Sequence, residues 1–386
     1  MGKALLALAG VIVALALGEV MVRIAGAGDA TLSRGVLHSY QPEVGWICRP
    51  GLDARYVLPG NFDARIVCNA HGQRSPELPL AKTPGKTRIA VLGDSYMWGF
   101  GVENGEMLPS RLTELLPGTE EVNLAANGYG TVQELVRFEI EGVAYAPDWT
   151  VLAFTYNDLG DNFDDKDGGR PYVKPGENGE VEIANRPVRK PWKSPHFQWL
   201  RHSSRLFLFV DYARDSLRHQ LRAWRRERWL KRQPPGTTRA KVRADLRDAQ
   251  AMEFSQRERY GAQSPEIDLA WETAGTLIGR IDALAKQAGG RLLVVTVAHL
   301  EVMDREVFAK RNGDGPELDW DRPARRLAAL CEAQGVPFLD LNPVFRSDAE
   351  PRTLFFPTNG HWSPRGHELA ARAVAEKLRA LGVGGG

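Results

Sequence analysis

The chain has 386 residues, enough to bury a sizeable core and more than one domain of ordinary size requires without additions. Hydrophobic residues make up 43% and charged residues 25%, a globular balance that excludes extensive disorder. A formal net charge of +2 excludes a general polyanion-binding surface, so no nucleic-acid partner is expected and any basic patch must be local.

Residues 1–27 place Lys3 ahead of an apolar run over residues 4–17, followed by Glu19 and Arg23, with residues 20–25 resuming the run. This is a targeting or anchoring segment and not part of the fold. Continuation of the run past Glu19 favours a retained membrane helix, while Ala25-Gly26-Ala27 resembles the small-residue site of a cleaved signal. On either reading the body is expected outside the cytoplasm, periplasmic or at the cell surface. Residues 28–87 form a linker and a β-rich lead segment, in which GWICR, ARYVL and ARIVC are broken by Pro50-Gly51 and Pro59-Gly60-Asn61. The cysteines Cys48, Cys68 and Cys331 show no CxxC spacing, so a zinc site is not expected. In an oxidising compartment Cys48 and Cys68 are expected to pair, and Cys331 lies in a helical pattern as core.

From residue 88 to residue 386 the pattern changes. RIAVLG, EVNLA, WTVLAFT, RLLVVTV and VPFLDL are short, nearly continuous apolar runs separated by sequence that can form helix. Strands buried on both faces look like this, so the body reads as a parallel α/β sheet joined by right-handed crossovers. Between the third and fourth runs lies an insertion, about 161–290. It opens with turn-rich DNFDDKDGGRPYVKPGENGE, expected to be a loop. A basic amphipathic helix over 205–232 follows, with Leu206, Val210, Ala213, Leu217, Leu221 and Trp224 on one face. That stripe either packs on the body or lies on an anionic membrane or polymer.

Several motifs fail on context. Gly85-Lys86-Thr87 precedes a strand instead of following one, Gly99, Gly101 and Gly105 have the wrong spacing for a dinucleotide fingerprint, and neither HExxH nor GxSxG occurs. No metal or cofactor is therefore expected. Ser95 remains, at the carboxyl end of the first buried strand, the edge where open α/β sheets place ligands. A serine nucleophile needs a base, and His361 stands on the loop just ahead of a final helix capped by Ser363-Pro364. His367, inside that helix, reads as structural. Gly128, after the second strand, is placed to offer a backbone N–H, and Asn157, after the third, a side-chain amide. Taken singly these are an ordinary cap, turn, Asx turn and surface histidine; four at one sheet edge point to acyl transfer.

The blocks GDSYMWG, NLAANGYG, YND and NGHWSPRGH, in this order, resemble the SGNH (GDSL) hydrolases over residues 88–158 and 290–383. The resemblance implies a flavodoxin-like three-layer sandwich on a five-stranded parallel sheet, and acyl-ester hydrolysis or transfer without a metal. It makes Ser95 the nucleophile and His361 the base, with the Ser95 N–H, the Gly128 N–H and the Asn157 side chain as oxyanion hole. Two positions depart from the family. Thr155 stands where a glycine is usual, and Asn359 and Thr358 stand where the orienting aspartate is expected. The Asn359 oxygen, or a backbone carbonyl, is therefore expected to orient His361. The function expected is a membrane-anchored extracytoplasmic serine esterase acting on acyl esters, O-acetyl groups of cell-surface polysaccharide among them. The alternatives are an O-acyltransferase using the same residues and an impaired member that binds carbohydrate or scaffolds a membrane assembly.

Overall fold

The computed structural model describes residues 2–25, 37–58, 60–164, 168–175, 180–188, 264–304, 306–307 and 319–384, with 204–207, 209–210, 213–214, 217, 221, 224 and 228 between them. Helix α1 (Gly2–Ile24) carries its leucines and most of its valines exposed, and its segment Leu5–Ile24 is long and apolar enough to cross a bilayer.

The lead segment folds into two antiparallel hairpins, β1 (His38–Gln41) with β2 (Gly45–Cys48) and β3 (Asp53–Leu58) with β4 (Phe62–Val67). A disulfide between Cys48 and Cys68 ties the foot of the second hairpin to the end of the first, the pairing that their spacing predicts.

The body then gives β5 (Thr87–Leu92), α2 (Ser95–Trp98), α3 (Leu108–Leu115), β6 (Thr119–Asn123), α4 (Thr131–Ile140) and β7 (Trp149–Phe154). It continues through a hairpin of β8 (Tyr172–Pro175) and β9 (Val181–Ala184) to α5 (Pro265–Gln287), β10 (Arg291–Thr296), α6 (Arg322–Ala333), β11 (Phe338–Leu339) and α7 (Pro364–Ala380). Five strands form one parallel sheet in the order β11-β10-β7-β5-β6. Counted along the chain this is 2-1-3-4-5 from the β6 edge, the flavodoxin-like order, and its switch point lies between β5 and β7.

Alternation along β5 explains why its sequence is apolar from Ile89 to Leu92. Ile89 and Val91 enter a core with Leu108 and Leu112 of α3 and Val374 and Leu378 of α7, while Ala90 and Leu92 enter a second core with Phe138 of α4 and Trp271 and Ile278 of α5. Each face of this stretch is covered by helix, which leaves no place for a polar side chain there, while at the start of the strand the buried Arg88 is paired with Glu120.

Two expectations about the insertion change. Part of the turn-rich stretch forms the β8–β9 hairpin, because its polar residues punctuate two short strands and do not make one long loop. The helix α5 belongs to the sandwich, since Ile267, Ala270, Trp271, Ala274, Leu277, Ile278 and Ile281 recur at helical spacing and are buried against the sheet. The insertion thus stops before residue 264 and does not run to residue 290.

Most of the described apolar stripe of the basic helix is exposed. Val210, Leu217, Leu221 and Trp224 are 45–57% exposed. The helix begins against α1, where the Glu19 carboxylate accepts the N–H groups of Arg205 and Leu206, both at 2.9 Å, and the Ser204 hydroxyl at 2.8 Å. A side chain on α1 thus caps the N-terminus of the basic helix. The part of the expected helix beyond residue 228 lies outside the described residues.

Replacing Cys48 and Cys68 together by alanine should cost roughly 3 kcal/mol in the chain-entropy view of a loop of this size. Denaturant unfolding of the two proteins checks it, and a loss below about 1 kcal/mol would show that the buried hairpin contacts hold the segment without the crosslink.

Candidate active site

Ser95 opens α2 directly beyond β5, and the buried Asp94 caps that helix by accepting the Tyr96 N–H at 3.0 Å. The His361 Nε2 lies 2.8 Å from the Ser95 Oγ. Two residues 266 positions apart are therefore in hydrogen-bond contact, close enough for a proton to pass from hydroxyl to imidazole.

The loop that carries the imidazole is fixed from several sides. Phe356 N–H donates to the His361 carbonyl at 2.8 Å, Trp362 Nε1 donates to the Ala298 carbonyl at 2.8 Å, and the Tyr96 hydroxyl donates to the Gly360 carbonyl at 3.1 Å. The ring itself is stacked on Phe100, with centroids 4.3 Å apart and planes 25° apart, and is flanked by Tyr96 at 5.0 Å. His367 is a core residue, its Nδ1 accepting the Leu108 N–H at 3.2 Å.

Asn359 does something other than expected. Its Oδ1 accepts the backbone N–H of His361 at 2.9 Å, so the oxygen is spent on its own turn and does not reach the ring. This bond also fixes which end of the amide is which, because the opposite orientation would set an NH₂ group against an N–H. Among the described residues the buried His361 Nδ1 and Asn359 Nδ2 have no hydrogen-bond partner. Thr358, the other position where an acid was sought, bonds to Asn61 of the lead segment. The imidazole is therefore placed by packing and not by a carboxylate.

The expected oxyanion donors sit at the carboxyl ends of neighbouring strands, Ser95 after β5, Gly128 after β6 and Asn157 after β7. Gly128 has a φ of 71°, a left-handed turn that suits glycine and swings the loop over the sheet edge. The Asn157 Nδ2 donates to Asp161 Oδ2 at 2.8 Å, which holds the amide and leaves its second N–H for another acceptor. Arg170, missed in the sequence because it lies among turn residues, joins these loops. Its fully buried guanidinium donates to the Gly128 carbonyl at 3.2 Å, the Asp161 Oδ1 at 2.9 Å and the Asp164 carbonyl at 2.6 Å.

Acids lie beneath the same edge. Burial pushes Asp94 up to about 7, and burial together with neighbouring carboxylates raises Asp158 and Glu134 well above the usual range. Asp158 and Glu134 are thereby favoured in the neutral form, and Asp94 is about evenly divided near pH 7.

Although His361 as a residue is only half-buried, its ring is closed in by Phe100 and Tyr96. That burial, with His299 nearby, lowers its pKa from 6.5 to about 3. A base must be neutral to accept a proton, so kcat/KM should hold level from about pH 7 down to about pH 5, where an ordinary histidine would be largely protonated. The matching stability contribution is complete above the unfolded value near 6.5 and is lost as pH falls toward about 3, because the unfolded chain takes the proton first. An acid limb of kcat/KM at or above about 6.5 would contradict the closed-in ring.

A family model for GDSL-like lipases and acylhydrolases matches residues 91–369, a span that takes in Ser95, Gly128, Asn157 and His361 and leaves out α1 and the lead segment. No curated protein matches the chain. Among solved structures, the lipase/acylhydrolase from Enterococcus faecalis is 13% identical with a TM-score of 0.39, over 76% of this chain and 96% of that one. A lipolytic G-D-S-L family member from Veillonella parvula is 12% identical with a TM-score of 0.39, over 75% and 97%. A variant of an acetyl-xylooligosaccharide esterase from a Geobacillus species is 12% identical with a TM-score of 0.38, over 77% and 96%. These likenesses are remote, and the assignment rests on the family match: the chain belongs to the GDSL-like lipase/acylhydrolase family.

Proposed function

We propose that the protein is a serine esterase in which Ser95 and His361 work as a dyad. The observation that carries this reading is the 2.8 Å contact between the Ser95 Oγ and the His361 Nε2. The serine oxygen attacks the acyl carbonyl carbon while its proton passes to His361. The Ser95 N–H, the Gly128 N–H and the free N–H of the Asn157 amide receive the oxyanion. Collapse expels the alcohol, which takes the proton back from His361, and water then releases the acyl group by the same steps in reverse roles. A sugar hydroxyl in place of that water would make the protein an O-acyltransferase with no change of residues. The substrate we favour is an acyl ester of cell-surface carbohydrate, O-acetyl groups included, and this part rests on location.

Location is read from α1, whose exposed apolar length suits a bilayer, with the body held outside the cytoplasm. The exposed stripe of the basic helix supports a second contact with the same membrane. Residues 201–232 carry nine Arg and one Lys against two Asp and one Glu, and anionic headgroups complement that balance. A catalytically impaired carbohydrate-binding protein is the competing reading, favoured by the absence of an acceptor at the His361 Nδ1 among the described residues.

A fluorophosphonate probe separates the two. The parent protein should be labelled at Ser95, and Ser95→Ala and His361→Ala should each lose nearly all ester hydrolysis, the double variant losing little more because the pair acts as one unit. A parent protein that neither takes the probe nor hydrolyses a small acyl ester would leave the binding reading. Separately, the protein lacking α1 should bind anionic vesicles at about 0.01 M salt and release them by about 1 M, where charges are screened within a few ångströms. Binding that ignores salt would remove the electrostatic contact.

A further inference from the structure

The lead segment lies outside the matched family region, yet it touches the machinery at several points. At the tip of the β3–β4 hairpin, Thr358 N–H donates to the Asn61 Oδ1 at 3.0 Å, and the Asn61 Nδ2 donates to the Thr358 Oγ1 at 2.6 Å. Thr358 is three residues ahead of His361. Next to Asn61, Phe62 meets Phe100 edge-on, with centroids 5.4 Å apart and planes at 85°, and it also contacts Phe356 at 5.2 Å. Phe100 is the ring on which His361 stacks. The fit is close on the far side as well: a Cβ on Gly101 would stand 2.5 Å from Phe62 and 2.7 Å from Phe356.

Farther along, the fully buried Arg74 grips the chain that follows α2. Its guanidinium donates to the carbonyls of Trp98 at 2.9 Å, Gly99 at 2.6 Å and Val102 at 2.8 Å, and to Asn104 Oδ1 at 2.7 Å. The backbone on either side of Phe100 is thereby held. On the opposite side of the site, Trp46 Nε1 of β2 donates to the Asn127 carbonyl at 2.9 Å, next to Gly128.

We propose that the lead segment is a positioning element for the dyad, in which Asn61 and Phe62 at the hairpin tip hold the histidine loop and the Phe100 ring and so replace the orienting acid. The physical logic is substitution of shape for charge. An aspartate fixes an imidazole by one charge-assisted hydrogen bond. Here the ring plane is set by stacking, and the loop register is set by a bidentate side-chain bond from a hairpin that a disulfide closes at its other end. The role of Asn61 and Phe62 is indirect, acting through Thr358 and Phe100. The proposal rests on the Ser95–His361 reading above, so its test includes a readout that does not need catalysis.

The test uses the full-length protein with histidine selectively labelled with carbon-13, assigned by His361→Gln, and measures His361 titration beside kcat and KM on a small acetyl ester. Asn61→Ala and Phe62→Leu should each lower kcat by about tenfold or more, as a small displacement of a reacting group does, with KM changed by no more than about twofold. In both, the His361 titration should move up toward the ordinary histidine value. Asn61→Asp, which keeps the acceptor for the Thr358 N–H and hydroxyl, should retain most of the activity. Arg55→Ala, which removes an exposed pair with Asp63 on the same hairpin, should leave kcat and titration unchanged. Parent-like kcat and titration in Asn61→Ala and Phe62→Leu would overturn the proposal, and so would a loss that Arg55→Ala reproduces. A parent protein inert toward both ester and probe would sink the esterase reading alone. The titration would then decide: a shift in the hairpin variants supports positioning, and none refutes it.

Discussion

An imidazole with no carboxylate behind it has to be held by its surroundings, and the site of this protein is organised around that constraint. The contact between His361 and Ser95 is useful only while the ring keeps its plane and its distance. In a triad one buried acid does this and also stabilises the imidazolium. Here the ring lies against Phe100 and Tyr96, and each of those is tied to the loop or to the lead segment by its own contacts. The cost falls on the charged state. A ring closed in by aromatic faces resists protonation, so in the proposed mechanism the imidazolium formed during attack is less favoured than in a triad. The same burial keeps the base neutral over a wide acid range.

Buried charge elsewhere in the site follows a consistent pattern. Two fully buried arginines, Arg74 and Arg170, donate to backbone carbonyls of the loops around the sheet edge, and Arg170 also pairs with the carboxylates of Asp161 and Asp164. Loops that carry function have many unpaired carbonyls, and a planar guanidinium with five N–H groups can satisfy several at once. The acids beneath the switch point are treated oppositely. Asp158 and Glu134 are raised well above the usual carboxylate range and Asp94 to about 7, which lessens negative charge near the proposed oxyanion donors. Positive charge thus organises the loop backbone, the acids it meets are paired with it, and the unpaired acids beneath are raised by burial.

Much of the fold was legible because its signals are local. Strands covered on both faces are apolar over most of their length, and β5, β7 and β10 read plainly from that rule. Ser95 and His361 were legible too, since a strand end and a helix cap locate them along the chain. The partner of the Asn359 oxygen was not. Choosing between the His361 ring and the His361 N–H is a matter of side-chain torsion, which a residue type does not specify. Arg170, Arg74 and Phe62 were invisible for a different reason. Each acts across the fold on residues distant in sequence, and a lone arginine or phenylalanine in a turn-rich or strand-like run carries no mark of its partner. The misread boundary of the insertion has a simpler cause. The amphipathic stripe of α5 is like that of any helix, and only its position over the sheet identifies it as a crossover.

The contacts of Arg74 also separate two boundaries that are usually taken to coincide. The unit that can be recognised begins at β5, where the family match starts, and its sheet is complete from there, although one of its cores also takes Leu52, Tyr56 and Ile66 from the lead segment. If the lead segment positions the histidine as proposed, the unit that can work begins earlier, ahead of Arg74, because the loop around Phe100 is cradled by a side chain contributed before the first strand of the sheet. Relatives that share the sheet but differ ahead of it would then inherit the reaction without inheriting the way its histidine is held. Variation in that preceding segment becomes a route by which one scaffold can be retuned in rate and acid tolerance while its catalytic residues stay the same.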